Sequence, residues 1–516
     1  MIVLDNVHRV KTTNVAPDSA DEQRWQDLSV LQRISAYKHE TEIKDFTRLA
    51  NSSFSKFYLQ KKSKTYKIGE TIKVDIALKD GLGRPVLSGG DVLRIWLKQP
   101  STGNSVSGYV VDNGNGSHTG IVETLWFGKS ELIVMIANTK KHVGIFLNYL
   151  QNNGIFYTIE AIFEDKNNTR QVEKTPCNVG IRFFGNASVC NFTKDNFGMS
   201  WYCKSPKMYN CSEWLFYTMD KSTNTLSKES DHLFRNYVFK KMKMNITIEA
   251  DNKVKLPVLQ NCMHISKMLT WRKTTPTGFY KNNTWKNLIC KSTLQRTKED
   301  YFKCLSGRRL LILGDSTNRI WFVYLVGYLG LKFTTGRWDE IKDKSWQRYA
   351  HATLKSRNMS IEWAPHELPF YGNHHSSRLN VRSVAFRLDE IPANSSDIVV
   401  LHWYLHIARV SHKIFREHVR NAKESVIRLL KRAPNIKIFI KGPHALTYVT
   451  NMLPYDFIRQ IEQQILFDEF LDLQDRIIYL DQWDATVANE NVHVHPNMSV
   501  NADMVHSMLS YICGRK

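Results

Sequence analysis

Between Leu310 and Arg319 the chain reads LLILGDSTNR, four apolar residues without polar alternation that run straight into Gly314-Asp315-Ser316. An unalternated apolar run suits a strand covered on both faces, the usual state of a parallel strand in an α/β sheet. Gly314 permits a tight exit, and the segment from Thr317 (TNRIWFVYLVGYL) can open a helix whose amide dipoles face the preceding serine. This places Ser316 at the carboxyl edge of a sheet as the candidate nucleophile.

The rest of the C-terminal half extends that reading. Strand-like RRLLIL, IVVLH, IKIFIK and IIYL alternate with helical spacing over 317–328, 411–432, 454–470 and 502–512. Such alternation predicts a parallel sheet with right-handed crossovers and a ligand crevice beyond the carboxyl ends of its strands, where Ser316, His406 and Asp484 fall. A serine hydroxyl becomes a good nucleophile only when an imidazole takes its proton, and that imidazole needs an acceptor on its other nitrogen. Candidates for both follow IIYL, in Asp481-Gln482-Trp483-Asp484 and Val492-His493-Val494-His495-Pro496. Two arrangements compete: His495 oriented by Asp484 or Asp481, or His493 paired with Glu490 three residues before it.

GDSTNRIW (Gly314–Trp321), EWAPHELPF (Glu362–Phe370), IKIFIKGP (Ile436–Pro443), DQWDATVA (Asp481–Ala488) and the stretch from HPNMSV to LSYIC (His495–Cys513) resemble the SGNH/GDSL-like hydrolases. Within them they resemble the PC-esterase branch of the neurexophilin and PC-esterase domain (NXPE) family. The resemblance implies Ser316 as nucleophile and His495 as base. The superfamily's usual aspartate three residues before the histidine is replaced by Val492, so Asp484, or else Asp481, is the expected orienting acid. Oxyanion and substrate contacts are expected at the Gly314-Asp315-Ser316 exit and at His406, where the family pattern carries a histidine. The His402–His406 loop lacks the superfamily's usual Gly and Asn.

Upstream, residues 1–45 are polar and read as a stem or tail, and 46–185 as an antiparallel β-sandwich. Thr71–Leu78, Asp91–Leu97, Val106–Val111, Leu132–Ile136 and Phe156–Phe163 are the expected strands, punctuated by DGLGRP, SGGD and DNGNGS. Together with Val189–Cys211 this segment resembles a neurexophilin-type, immunoglobulin-like domain, which implies a surface for a glycan or cell-surface protein partner. Residues 186–304 read as a Cys-rich connection, and 305–516 as the catalytic-type domain.

Eight cysteines (177, 190, 203, 211, 262, 290, 304 and 513) form an even set without CxxC or other metal-ligand spacing, so no metal site is expected. Eleven N-x-S/T sequons start at Asn51, Asn115, Asn167, Asn186, Asn191, Asn210, Asn245, Asn282, Asn358, Asn394 and Asn497. Together these features indicate a glycosylating, oxidising compartment, the Golgi lumen or the extracellular space. A terminal helix returning to the edge where the serine strand begins predicts a Cys304–Cys513 disulfide, with the other six cysteines paired within 177–290. No run of 18 apolar residues and no signal-like amino terminus is present, so the targeting segment is expected upstream of this sequence or missing from a truncated gene model.

The net charge of +22 attracts anions, yet the basic residues are dispersed and accompany no zinc knuckle, RNP motif or basic helix, which argues against nucleic acid. Acidic glycans, nucleotide sugars or an acyl-CoA fit better. The expectation is an O-acetyltransferase or acyl esterase acting on glycan hydroxyls such as those of sialic acids, with acetyl-CoA as the donor and no resident cofactor. The alternative is a secreted binding protein that keeps the fold without the activity.

Overall fold

The computed structural model describes residues 30–514, apart from 166–167, 221–225, 236–239, 251–257, 273–275, 336–346, 372–375 and 448–452. Most of the proposed stem and the Asn167 sequon therefore lie outside the described residues.

The serine strand, Arg309–Leu313, is central in a seven-stranded sheet. The order is Lys332–Thr335, Ala350–Leu354, Met359–Ala364, Arg309–Leu313, Ile398–Leu401, Lys437–Lys441, Ile478–Leu480. The last five run parallel. The first two add an antiparallel hairpin that the sequence pattern does not announce. Leu310–Leu313 are at most 3% exposed, as expected of a strand covered on both faces. The helices Ser316–Leu329, His412–Arg432, Tyr455–Glu469 and Met498–Ser510 occupy the expected segments, the last starting four residues early.

In the N-terminal half, Ile72, Val74 and Ile76 alternate inward and are wholly buried on Thr71–Ala77. That strand belongs to a four-stranded sheet with Lys56–Leu59, Ser117–Glu123 and Tyr109–Asp112. A seven-stranded sheet containing Val92–Gln99 and Gly128–Asn138 packs against it at Gly120, where an added Cβ would come within 2.7 Å of both Val74 and Ile95. The expected strand Val106–Val111 is two strands. Asn104–Ser107 pairs with Val92–Gln99 and Tyr109–Asp112 with Ser117–Glu123, so the chain changes sheets at Gly108. A Cβ there would sit 2.2 Å from the Ile121 carbonyl oxygen. Within the region read as all β, Lys140–Asn153 is a helix, capped by the Thr139 hydroxyl and ended at Gly154 with φ 78°.

Sheets cross the expected segment boundaries. Lys241–Glu249 pairs with Gly128–Asn138. A fourth, six-stranded sheet joins Thr158–Asp165 and Asn168–Asn178 to Trp214–Asp220, then to Ser376–Ser377 from the C-terminal half. The chain is thus a mixed α/β molecule with several sheets fastened to one another. The expected disulfide Cys304–Cys513 is present, and Cys177–Cys203, Cys190–Cys211 and Cys262–Cys290 complete the set. Four disulfides suit an oxidising, secreted or lumenal setting. Among the described residues no helix is long and apolar enough to cross a membrane.

Candidate active site

Gly314 leaves the serine strand with φ 150°, and a Cβ there would lie 2.6 Å from the His402 carbonyl oxygen, so the turn excludes larger residues. Asp315 caps the helix that Ser316 begins, its carboxylate accepting from the Thr317 amide at 2.8 Å and hydroxyl at 2.6 Å. Ser316 thereby stands at a helix amino terminus. His495 Nε2 lies 2.7 Å from Ser316 Oγ, although the two residues are 179 positions apart. The histidine is otherwise exposed and sits at the mouth of the site. Desolvation by its surroundings holds its pKa below the usual imidazole range, Arg319 and Lys441 adding to this and Asp315 opposing it.

Neither expected acid reaches this histidine. Asp484 Oδ1 accepts from the Ser107 hydroxyl at 2.7 Å, and its Oδ2 from the Thr277 amide at 2.8 Å and hydroxyl at 2.9 Å. Asp481 accepts from the Trp483 amide and from Gln463 Nε2. Among the described residues no carboxylate pairs with His495, because the short helix Trp483–Ala488 turns Asp484 toward the N-terminal sheets. The competing pair is absent as well. Glu490 binds Lys98 and Lys241, and His493 is exposed.

Ser316 opens into a cavity of about 110 Å³ lined by Leu405, His406, Arg409, Leu446, Tyr455 and Val494. His406 Nδ1 accepts from the Tyr371 amide at 2.8 Å, which puts the proton of the neutral ring on Nε2. Burial drives the pKa of His406 well below its ordinary value, so that neutral form prevails. Arg409 lies between the rings of Tyr371 and Tyr157, at 4.7 and 5.5 Å, and donates to the Leu405 carbonyl. Among the described residues no carboxylate pairs with it. Tyr157 comes from the N-terminal half and holds φ 76°, an uncommon conformation for an aromatic residue. Its backbone is fixed by Tyr371 Oη on the Tyr157 carbonyl and by a bridge between Ile155 and Val410. A larger apolar cleft of about 620 Å³ shares no lining residue with this cavity.

Asp315 and Gly314, expected to touch substrate, lie beneath the site and do not line the cavity. Asp315 Oδ2 accepts from the Leu405 amide at 3.0 Å and so ties the turn to the His406 loop. Burial alone would raise its pKa, but His402, His406, Lys441 and the Thr317 hydrogen bond hold its carboxyl far below the usual range. Sequence reasoning missed His444, whose Nε2 donates to the Val494 carbonyl at 2.9 Å and holds the His495 loop. Its signal was the KGPH sequence after the IKIFIK strand, a strand-end position like that of His406.

Comparison with known families agrees with this layout. Residues 285–513 match the model described as NXPE family member 4-like, C-terminal domain, and residues 32–236 match the neurexophilin model. The chain belongs to the NXPE family. A family two carbohydrate esterase from Clostridium thermocellum, an active-site mutant in complex with celluohexase, aligns over 89% of this chain and 97% of its own. The alignment has 8% identity and a TM-score of 0.23, which is too low to support an argument. The cavity lining lies within the C-terminal match, and Tyr157 of the neurexophilin match packs against it through the Arg409 guanidinium.

Proposed function

We propose that this NXPE protein is an O-acyltransferase, or acyl esterase, acting on glycan hydroxyls. The observation that carries the reading is the 2.7 Å Ser316–His495 pair over a small cavity. Ser316 Oγ attacks the acyl carbonyl carbon as His495 Nε2 takes its proton. The oxyanion so formed accepts from the Ser316 amide and from His406 Nε2. With acetyl-CoA as donor, collapse expels the thiolate, which regains a proton from the His495 imidazolium. A sugar hydroxyl then gives its proton to His495 and attacks the acyl-serine carbonyl. Collapse breaks the ester bond to Ser316, whose Oγ takes the proton back from His495 as the acylated sugar leaves; water in the sugar's place makes the enzyme an esterase. Arg409, which lines the cavity and pairs with no carboxylate among the described residues, favours acidic sugars such as sialic acids as acceptors. A lumenal setting, Golgi or extracellular, supplies such glycans, with sequons such as Asn282, Asn358 and Asn394, all at positive φ on exposed turns, as glycan carriers.

A second reading is a binding protein that retains the fold, with an immunoglobulin-like sandwich meeting a cell-surface partner. The lack, among the described residues, of a carboxylate on His495 favours it. Single substitutions separate the two. For the enzyme, Ser316→Ala and His495→Ala each lower acyl turnover at least ~1,000-fold with little change in melting temperature, and the double variant is hardly worse than either. For the binder, wild type shows no turnover on acetylated glycans or with acetyl-CoA and a sialylated acceptor, and all variants keep partner affinity.

A further inference from the structure

Beneath Ser316 runs a buried polar chain that the acyl-transfer steps do not use. Lys441, 2% exposed at the end of its strand, donates from Nζ to Thr317 Oγ1 at 3.1 Å, and Thr317 Oγ1 donates to Asp315 Oδ1 at 2.6 Å. His402 completes it. Its Nδ1 lies 2.8 Å from the Lys441 carbonyl oxygen, which can only accept, so Nδ1 carries the ring proton. Its Nε2 lies 3.0 Å from Thr317 Oγ1. The Thr317 hydroxyl therefore has one proton and two acceptors, Asp315 and His402. An ammonium donating to the hydroxyl oxygen favours the anionic acceptor. With the Thr317 hydroxyl donating to Asp315 Oδ1, the carboxylate keeps its Oδ2 on the Leu405 amide and thus holds the loop carrying His406.

We propose that Lys441 is a positioning residue of the acyl-transfer site, acting through the Thr317 hydroxyl to fix Asp315 and the His406 loop around Ser316. The inference rests on the acyl-transfer reading above. The charged and titratable groups facing Lys441 are Asp315, His402, His444 and His495. Burial lowers the pKa of Lys441 to about 8, Asp315 opposing, so the cation is lost in mild alkali.

The test is the rate at which a fluorophosphonate probe labels Ser316 in the whole protein between pH 6 and 10. Expected are a decline of wild type above about pH 8, a loss of at least ~30-fold at pH 7 in Lys441→Met and in Thr317→Val, and near-wild-type labelling in Thr317→Ser, which keeps the hydroxyl. The double variant Lys441→Met/Thr317→Val is no slower than either single. If Lys441→Met fails to fold, the Thr317 pair decides alone. Labelled wild type with Lys441→Met and Thr317→Val at the same rate and pH profile overturns this proposal only. Unreactive Ser316 in wild type overturns the acyl-transfer reading and this one together.

Discussion

His495 approaches Ser316 from an exposed loop with no carboxylate behind it among the described residues, so its basicity is set by what surrounds it. Partial desolvation, Arg319 and Lys441 all disfavour the imidazolium, and its pKa is lowered from about 6.5. The base works in its neutral form. Labelling of Ser316 by a serine-hydrolase probe should therefore rise with pH along an acid limb whose midpoint falls below 6.5, and should change little from there to neutrality. A midpoint above 6.5 in rates measured from pH 4 to 8 would mean that an acid supports the imidazolium after all.

The short helix Trp483–Ala488 is a fastening device. Asp484 on it takes three donors from Ser107 and Thr277, and burial raises its pKa to about 6. Asp484→Ala strands those donors at a buried junction and should cost about 2–4 kcal/mol in denaturant unfolding, while Ser316 labelling stays within about twofold. A large loss of labelling in folded protein would return Asp484 to the catalytic set. This element also shows what the sequence could disclose. The serine strand and its helix were legible because the signal is local, an apolar run followed by Gly314-Asp315-Ser316. The Cys304–Cys513 pairing followed from the direction of the last helix. Asp484 stands where an orienting acid should, yet its partners lie 377 and 207 positions away, and no spacing reveals them. Lys441 and His402 were hidden for the same reason, as their meaning depends on Thr317 lying between them.

Across the whole molecule, buried histidines set the response to acid. Burial lowers the pKa of His402 and His506 to about 3 and that of His444 well below its usual value. Each is neutral when folded and binds a proton near pH 6.5 when unfolded, so the stability it contributes is complete above that pH and is lost as pH falls toward the folded value. The slope is about 1.4 kcal/mol per pH unit for each such histidine. Asp91 and Asp484, raised to about 6, bind protons in the folded state first and offset part of the loss. Calorimetry should show the melting temperature falling from pH 7 to pH 5; a rise would show the carboxyls dominating. The Cys304–Cys513 bond, with its Cα atoms 5.6 Å apart, gives the region between them the connectivity of a ring. A protease that cuts this ring once releases nothing: on a non-reducing gel the nicked protein should migrate near full length, and only reduction should separate it into two pieces.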